Sequence, residues 1–157
     1  MVVQNTAPAN APVFAHQSAG WQLHGVVTSR PRQHYVEKRL PSAFVGTDLG
    51  SWVTANEIDT LVVAGYMTHH CDDSTIRQAM HEGLSVEFLD DAAGSLPYAN
   101  RAGSASAEEL HRSFKVALQS RLAAVMGTDE WIGVLETKGT PVRDNLFASN
   151  QRGRGLA

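Results

Sequence analysis

The stretch at 62–91, "VVAGYMTHHCDDSTIRQAMHEGLSVEFLDD", constrains the fold of this chain more than any other segment, because it combines two strand patterns with a helix between them. The β-branched run "IDTLVVAG" at 58–65 has no polar alternation, which is typical of a strand buried on both faces. Apolar residues then keep helical spacing over about 71–82, and Gly83 is a typical C-terminal stop. The run "LSVEFLDD" at 84–91 is predicted as the next strand. Two strands joined by a helix-length crossover run parallel, so this stretch predicts a βαβ unit.

The rest of the chain continues the alternation of strands and helices. We predict, in chain order, an irregular segment at 1–11, a short buried strand at 12–16, a strand at 33–38, a helix capped by Thr47 or Asp48, a helix behind the Ser-x-x-Glu capping box at 106–109, and a short strand in "AAVMG" at 123–127. Strands separated by helix-length segments predict an α/β fold with a mostly parallel, Rossmann-like sheet covered by helices.

Length and polarity divide the chain into a main domain and a tail. A chain of 157 residues suits one domain, which we place at 1–136. Beyond it, 137–157 is polar and glycine-rich, and is predicted as a tail or as an arm that docks on another subunit.

Composition excludes several classes of function. The net charge of −3 offers no electrostatic basis for a nucleic-acid partner. No apolar run approaches the roughly 18 residues that a membrane span needs, and the N-terminal "MVVQNTAPANAPVF" lacks the pattern of a secretory signal. With one cysteine there is neither an internal disulfide nor a cysteine-based zinc cluster, and we expect a cytoplasmic protein.

The single cysteine, Cys71, is predicted to lie just past the carboxyl end of the 58–65 strand, where a helix begins. Ligands of open parallel sheets bind at this edge, and the positive end of a helix dipole there stabilises a thiolate. The alternative is a small buried side chain, since free cysteine is among the most buried residue types. Position alone leaves both interpretations open.

Four segments together resemble the isochorismatase-like cysteine hydrolases, a superfamily that includes nicotinamidases and carbamoylsarcosine amidohydrolases. They are "KRLPSAFVGTDL", "LVVAGYMTHHC", "STIRQAMHEGLSVEFLDDAAGS" and "SAEELHRSF", and the likeness runs from about residue 12 to 132. The resemblance implies a three-layer α/β/α fold and a Cys, Lys and Asp triad, in which Cys71 matches the nucleophile and Lys38 the lysine. It also implies a cis peptide bond between Tyr66 and Met67, and an oxyanion hole formed by the amides of Met67 and Cys71.

The implied chemistry is covalent hydrolysis of an amide-type C–N bond in a small molecule, through a thioester on Cys71. The family's triad aspartate, however, has no counterpart, because the first aspartate of the chain is Asp48 and the "VVQNT" at 2–6 carries Val2 or Val3 where the acid belongs. The family's usual first strand and helix also have no counterpart before "PVFAH". Three explanations remain open.

The first explanation for the missing aspartate is that the chain is a shortened form of an active hydrolase. The second is that it recruits another acid. The third is that it is a catalytically impaired homologue that binds a ligand or serves as an oligomeric interaction protein. The acids considered for recruitment are Asp72, Asp73 and Asp90, or one from a neighbouring subunit.

Histidines and aromatic residues complete the predicted site. Of His69 and His70, at most one can face the thiol, because adjacent residues on a turn generally point apart. Residues assigned tentatively to substrate binding are His16, Phe44, Tyr66 and His70. His24, His34, His81 and His111 are predicted as surface or helix-face residues. No metal or cofactor is predicted, and family resemblance implies a homo-oligomer.

Overall fold

The computed structural model describes residues 1–156 and divides into two units, Met1–Glu57 and the residues from Ile58 onward. The first unit contains, in order, β1 (Val2–Asn5), α1 (Gly25–Thr28), β2 (Tyr35–Lys38) and α2 (Leu49–Ala55). Strands β1 and β2 pair in parallel, with Val2 opposite Tyr35 and Asn5 opposite Lys38.

Two predictions for the first unit are wrong, and both concern the segment before β2. Residues 1–11 are not wholly irregular, because Val2–Asn5 finds a hydrogen-bonding partner in β2, more than 30 positions along the chain. Residues 12–16 do not form a strand. Phe14 adopts a positive φ of 55°, which interrupts extended backbone, and Ala15 makes only an isolated bridge with Ala7.

The predicted strand at 33–38 and the helix after Thr47 are both confirmed. Asp48 occupies the N-cap position of α2 without a side-chain capping bond, and the Thr47 hydroxyl accepts from the Leu49 amide at 3.3 Å instead. The predicted surface residue His34 stacks on Trp52 of α2, with ring centroids 4.6 Å apart.

The second unit begins with the predicted βαβ stretch. Its elements are β3 (Thr60–Tyr66), a π-helical turn (Thr68–Asp72), α3 (Asp73–His81), β4 (Ser85–Gly94), β5 (Tyr98–Asn100), β6 (Gly103–Ala105), α4 (Ala107–Gln119), β7 (Ala124–Met126), α5 (Thr128–Thr137) and α6 (Leu146–Gly153). Strands β3, β4 and β7 form a parallel sheet in that order, and β5 and β6 form an antiparallel hairpin that the sequence did not predict.

Helices cover both faces of this sheet, as the side chains of β4 show. Successive strand residues point to opposite faces. On one face, Asp90 pairs with Lys115 of α4 at 2.7 Å. On the other, Glu87 accepts from the indole of Trp131 on α5 at 2.7 Å, and Leu89 packs in one cluster with the same side chain. The expectation of an α/β fold with a helix-covered parallel sheet is therefore confirmed.

Local signals set the ends of the helices. The capping box is present, because the Ser106 hydroxyl accepts from the Glu109 amide at 3.1 Å while the Glu109 carboxylate accepts from the Ser106 amide at 2.8 Å. Gly83 has a φ of 85°, a conformation that favours glycine, and follows the end of α3 as predicted.

The expectation that β3 is buried on both faces is wrong. Leu61 is buried, but Val62 is 41% exposed. Strand β3 is a terminal strand of its three-stranded sheet, so its exposed positions follow from its place in the strand order.

The segment at 137–157 contains one helix within its described part. Helix α6 begins behind Asn145, whose side chain accepts from the Ala148 amide at 2.9 Å, and Asp144 pairs with Arg152. Gln119 of α4 donates to the Val142 carbonyl at 3.1 Å. The role of this segment as a docking arm stays a prediction.

Candidate active site

Cys71 lies on the π-helical turn between β3 and α3. The Met67 carbonyl accepts from the amide of His70 at 3.0 Å and from that of Asp72 at 3.2 Å, and the second bond spans the five residues that define a π turn. The Cys71 carbonyl accepts from the hydroxyl of Thr75 at 2.7 Å, which joins the turn to the first turn of α3. Cys71 is half-buried rather than enclosed, so its position matches the predicted strand-to-helix edge.

The backbone leading into this turn has two unusual features. Gly65 has a φ of 146°, which a residue with a side chain rarely adopts. The peptide bond between Tyr66 and Met67 is cis, as the family resemblance implied.

Thr68 anchors the start of the turn from inside the protein. It is fully buried, and its hydroxyl donates to the Gly94 carbonyl at 3.0 Å. The same oxygen lies 2.8 Å from Nδ1 of His111 on α4. A hydroxyl has a single hydrogen, so Nδ1 of His111 is the donor in this second bond.

His111 lies on α4, where a helix-face residue was predicted, and its ring also bonds to the buried Thr68 of the turn. Its partner lies 43 positions earlier in the chain, and no local pattern signals such a pair.

His69 points away from the thiol, into the packing between the turn and α4. Its Nδ1 lies 2.9 Å from the Ser95 hydroxyl, and its ring meets those of Tyr98 and Phe114 edge-on at 5.1 and 6.1 Å. Among the described residues, its buried Nε2 has no hydrogen-bond partner. Burial lowers the pKa of His69, and the charge of a protonated His70 beside it lowers that pKa further.

His70 is exposed and faces the cysteine, with its Nδ1 3.7 Å from Cys71 Sγ. The two histidine side chains therefore point in different directions. One of them faces the thiol, and the sequence argument allowed at most one.

Aromatic side chains surround the same edge of the sheet. The Tyr66 hydroxyl donates to the Ser95 carbonyl at 2.9 Å, and its ring is 56% exposed. A side chain at Gly94 would meet that ring at 3.0 Å, so the glycine leaves the space that the ring occupies. The hydroxyl of Tyr98 approaches Met67 Sδ at 3.8 Å.

Two of the three acids considered as replacements for the triad aspartate are held in ion pairs. Asp73 accepts from Arg77 at 2.9 and 3.0 Å, and Asp90 accepts from Lys115 at 2.7 Å. Asp72 is buried, and its Oδ1 lies 3.5 Å from where a Cβ on Gly65 would stand.

The other predicted site residues lie in the first unit. Lys38 is 5% exposed, and its ammonium donates to Asn5 Oδ1 and to the Leu40 carbonyl, both at 3.0 Å. His16 is exposed and meets the ring of Trp21 edge-on at 5.0 Å. Phe44 is half-buried. Tyr66, Met67, His70 and Cys71, by contrast, all belong to the second unit.

Within residues 1–156, no group of three or more His, Cys, Asp or Glu side chains is arranged to hold a metal ion. The described helices include none with the length and apolar character of a membrane span.

Comparisons with known proteins agree with this fold. The model of the isochorismatase domain matches residues 2–130. A crystal structure of an isochorismatase-family protein from Burkholderia xenovorans LB400 is 61% identical, with a TM-score of 0.95 over 98% of this chain and 74% of that one.

Two curated relatives are more distant. The isochorismatase family protein YddQ of Bacillus subtilis (strain 168) is 28% identical over 131 residues, which cover 83% of this chain and 73% of the relative. Ureidoacrylate amidohydrolase of Methylobacterium radiotolerans is 30% identical over 105 residues, 67% of this chain and 37% of the relative.

The second unit is a parallel α/β unit with a cysteine just past the carboxyl end of β3. The chain belongs to the isochorismatase family, and it is a hydrolase of that family.

Proposed function

We propose that this protein hydrolyses an amide-type C–N bond of a small molecule through a thioester on Cys71. The observation that carries the proposal is the position of the thiol, half-exposed on the turn between β3 and α3. The turn leads directly into the N-terminus of α3, and the thiolate is the nucleophilic form of cysteine.

The reaction would proceed in two halves. Cys71 Sγ attacks the acyl carbon, the C–N bond breaks and an amine or ammonia leaves, and water then hydrolyses the thioester. The negative oxygen of each tetrahedral intermediate would accept hydrogen bonds from the amides of Met67 and Cys71. The family resemblance assigns Lys38 the role of stabilising the thiolate and the developing charge electrostatically.

Support for an amide substrate comes from the relatives. One protein that matches two thirds of this chain is named an amidohydrolase. The exposed ring of Tyr66 beside the turn suits stacking against a small planar substrate.

The test is a screen of small amides and ureido compounds, read as release of ammonia or amine. We expect hydrolysis by the wild-type protein, none by Cys71→Ala, and an acyl adduct on the wild type in intact mass spectra of quenched reactions. Lys38→Ala is expected to slow hydrolysis and to slow iodoacetamide labelling of Cys71 at pH 6 to 7. Hydrolysis that persists in Cys71→Ala would refute the proposal.

A family member without activity would show a different result. If no acyl adduct forms and the thiol labels no faster than free cysteine, the protein is a ligand-binding or interaction member of the family. Cys71→Ser is the matched control for folding, because it changes a single atom of the side chain.

A further inference from the structure

We propose that His111 of α4 is a positioning residue, which acts through Thr68 to hold the Met67 amide where it stabilises a reacting oxyanion beside Cys71. The inference rests on the proposed function, in which the Met67 amide is one of the two oxyanion donors. Its basis is the 2.8 Å approach of His111 Nδ1 to the Thr68 hydroxyl, which joins a helix to the residue directly after Met67.

The directions of the two hydrogen bonds at Thr68 are fixed. Its hydroxyl gives its single hydrogen to the Gly94 carbonyl at 3.0 Å, because a carbonyl can only accept, so His111 Nδ1 is the donor in the other bond. Thr68 is fully buried, and a bond left unmade at such a site is costly. Two bonds from different elements hold the hydroxyl oxygen from two directions, whereas one bond would leave it free to swing about the Gly94 carbonyl.

This pair of bonds fixes the backbone beside the reacting centre. Met67 and Thr68 share a peptide group, and its carbonyl closes the turn by accepting from the amides of His70 at 3.0 Å and Asp72 at 3.2 Å. The amide of Met67 is separated from that peptide group by a single Cα atom. A shift of Thr68 therefore tilts the shared peptide group and displaces the Met67 amide with it.

Helix α4 contacts the turn through two residues of one face. His111 and Phe114 are three positions apart, a spacing that puts both side chains on the same side of a helix. His111 bonds to Thr68, and the ring of Phe114 meets the ring of His69 edge-on at 6.1 Å. Of these two contacts, the one from His111 is the hydrogen bond, and it directs the side chain of Thr68.

The cysteine end of the turn is held from a different helix. The Cys71 carbonyl accepts from the Thr75 hydroxyl on α3 at 2.7 Å. Loss of the His111 bond should therefore move the oxyanion donor more than it moves the sulfur. Reactions that form an oxyanion should slow, whereas reactions that need only the thiolate should not.

Two probes of Cys71 separate these reactions without a known substrate. Iodoacetamide is alkylated at a saturated carbon with loss of iodide, and no oxyanion forms. With p-nitrophenyl acetate, the thiolate bonds to the acetyl carbon, an oxyanion forms, and the C–O bond then breaks as p-nitrophenolate leaves with the electron pair. Since the chain has a single cysteine, intact mass reports both adducts directly.

We expect His111→Leu to lose about tenfold in acylation rate and to keep its alkylation rate within about twofold, since a misplacement of 1 Å can cost up to about a hundredfold. His111→Asn carries an amide nitrogen where Nδ1 lies, so acylation should stay within about threefold of the wild-type rate. His111→Gln carries its amide one bond further out and should behave like His111→Leu.

Ser106→Ala is the control for a general loss of helix stability. It removes the cap of the same helix, where the Ser106 hydroxyl accepts from the Glu109 amide, and it should leave both rates unchanged. Wild-type acylation in His111→Leu, or equal losses in acylation and alkylation, would overturn the role of His111. Should His111→Leu not fold, equal acylation of His111→Asn and His111→Gln would overturn it instead.

Cys71→Ala separates this inference from the proposed function. If the rapid release of p-nitrophenolate persists in Cys71→Ala, or if the wild type forms no acyl adduct, the thioester proposal fails and the role of His111 fails with it. If acylation depends on Cys71 while the His111 variants match the wild type, the thioester mechanism stands and the positioning role of His111 is wrong.

Discussion

Replacing Thr68 by valine removes one hydroxyl group from the start of the π-helical turn that carries Cys71, and changes little else. The side chain is fully buried, and valine has nearly the same shape, so no cavity opens. The change breaks the bonds from the Thr68 hydroxyl to the Gly94 carbonyl at 3.0 Å and from His111 Nδ1 at 2.8 Å.

The expected cost follows from these two bonds. Each hydrogen bond contributes about 1 kcal/mol net, and a buried group that loses its partner costs about 1–3 kcal/mol. His111 and Gly94 are only half-buried, so water can satisfy them in part, and we expect a loss of about 2–3 kcal/mol in the free energy of unfolding.

Urea denaturation followed by circular dichroism measures this loss, with Thr68→Ser as the matched control. Serine keeps both bonds and lacks one methyl group, which costs about 1 kcal/mol. Since the turn also carries Cys71, labelling of the thiol in Thr68→Val should change as well. If Thr68→Val is no less stable than Thr68→Ser, the hydroxyl does not anchor the turn.

Three other measurements test separate parts of the structure. The folded-state pKa of His69 lies below its ordinary value of 6.5, so the unfolded chain binds more protons than the folded chain as pH falls below about 6.5. The stabilisation is therefore complete above that pH and declines as pH falls. The stability difference between wild type and His69→Gln should therefore shrink from pH 7 to pH 5, and a constant difference would contradict the assignment. Ser106→Ala should cost about 1 kcal/mol through loss of the cap on α4, whereas Ser104→Ala, at an exposed position of β6, should be nearly neutral in thermal unfolding. We also expect a homo-oligomer, and a compact monomer in solution scattering would refute that expectation.

Much of the fold could be predicted because its signals are local. The β-branched run at 58–65, the stop at Gly83 and the capping box at Ser106 each act within a few residues, and the structure contains all three features. The prediction that residues 1–11 are irregular was wrong because the structure of this segment depends on a distant partner. Val2–Asn5 carries no strong strand pattern, and it becomes a strand through pairing with Tyr35–Lys38.

The place of Cys71 in the fold could also be predicted from the sequence. Cys71 follows a strand and precedes a helix, and this alone predicts its place at the carboxyl edge of the sheet. The cis bond between Tyr66 and Met67 was expected only through the family resemblance, since no propensity argument favours it.

The sequence by itself determined the succession of strands and helices in the second unit and the place of the cysteine within it, because backbone preferences and apolar spacing act between near neighbours. The tertiary structure alone decided that His70 faces the thiol while His69 packs toward Ser95. It also decided that His111 supports the turn. The direction of a side chain depends on the shape of the turn and on partners 26 and 43 positions away, and such distant contacts leave no periodic signal in the sequence.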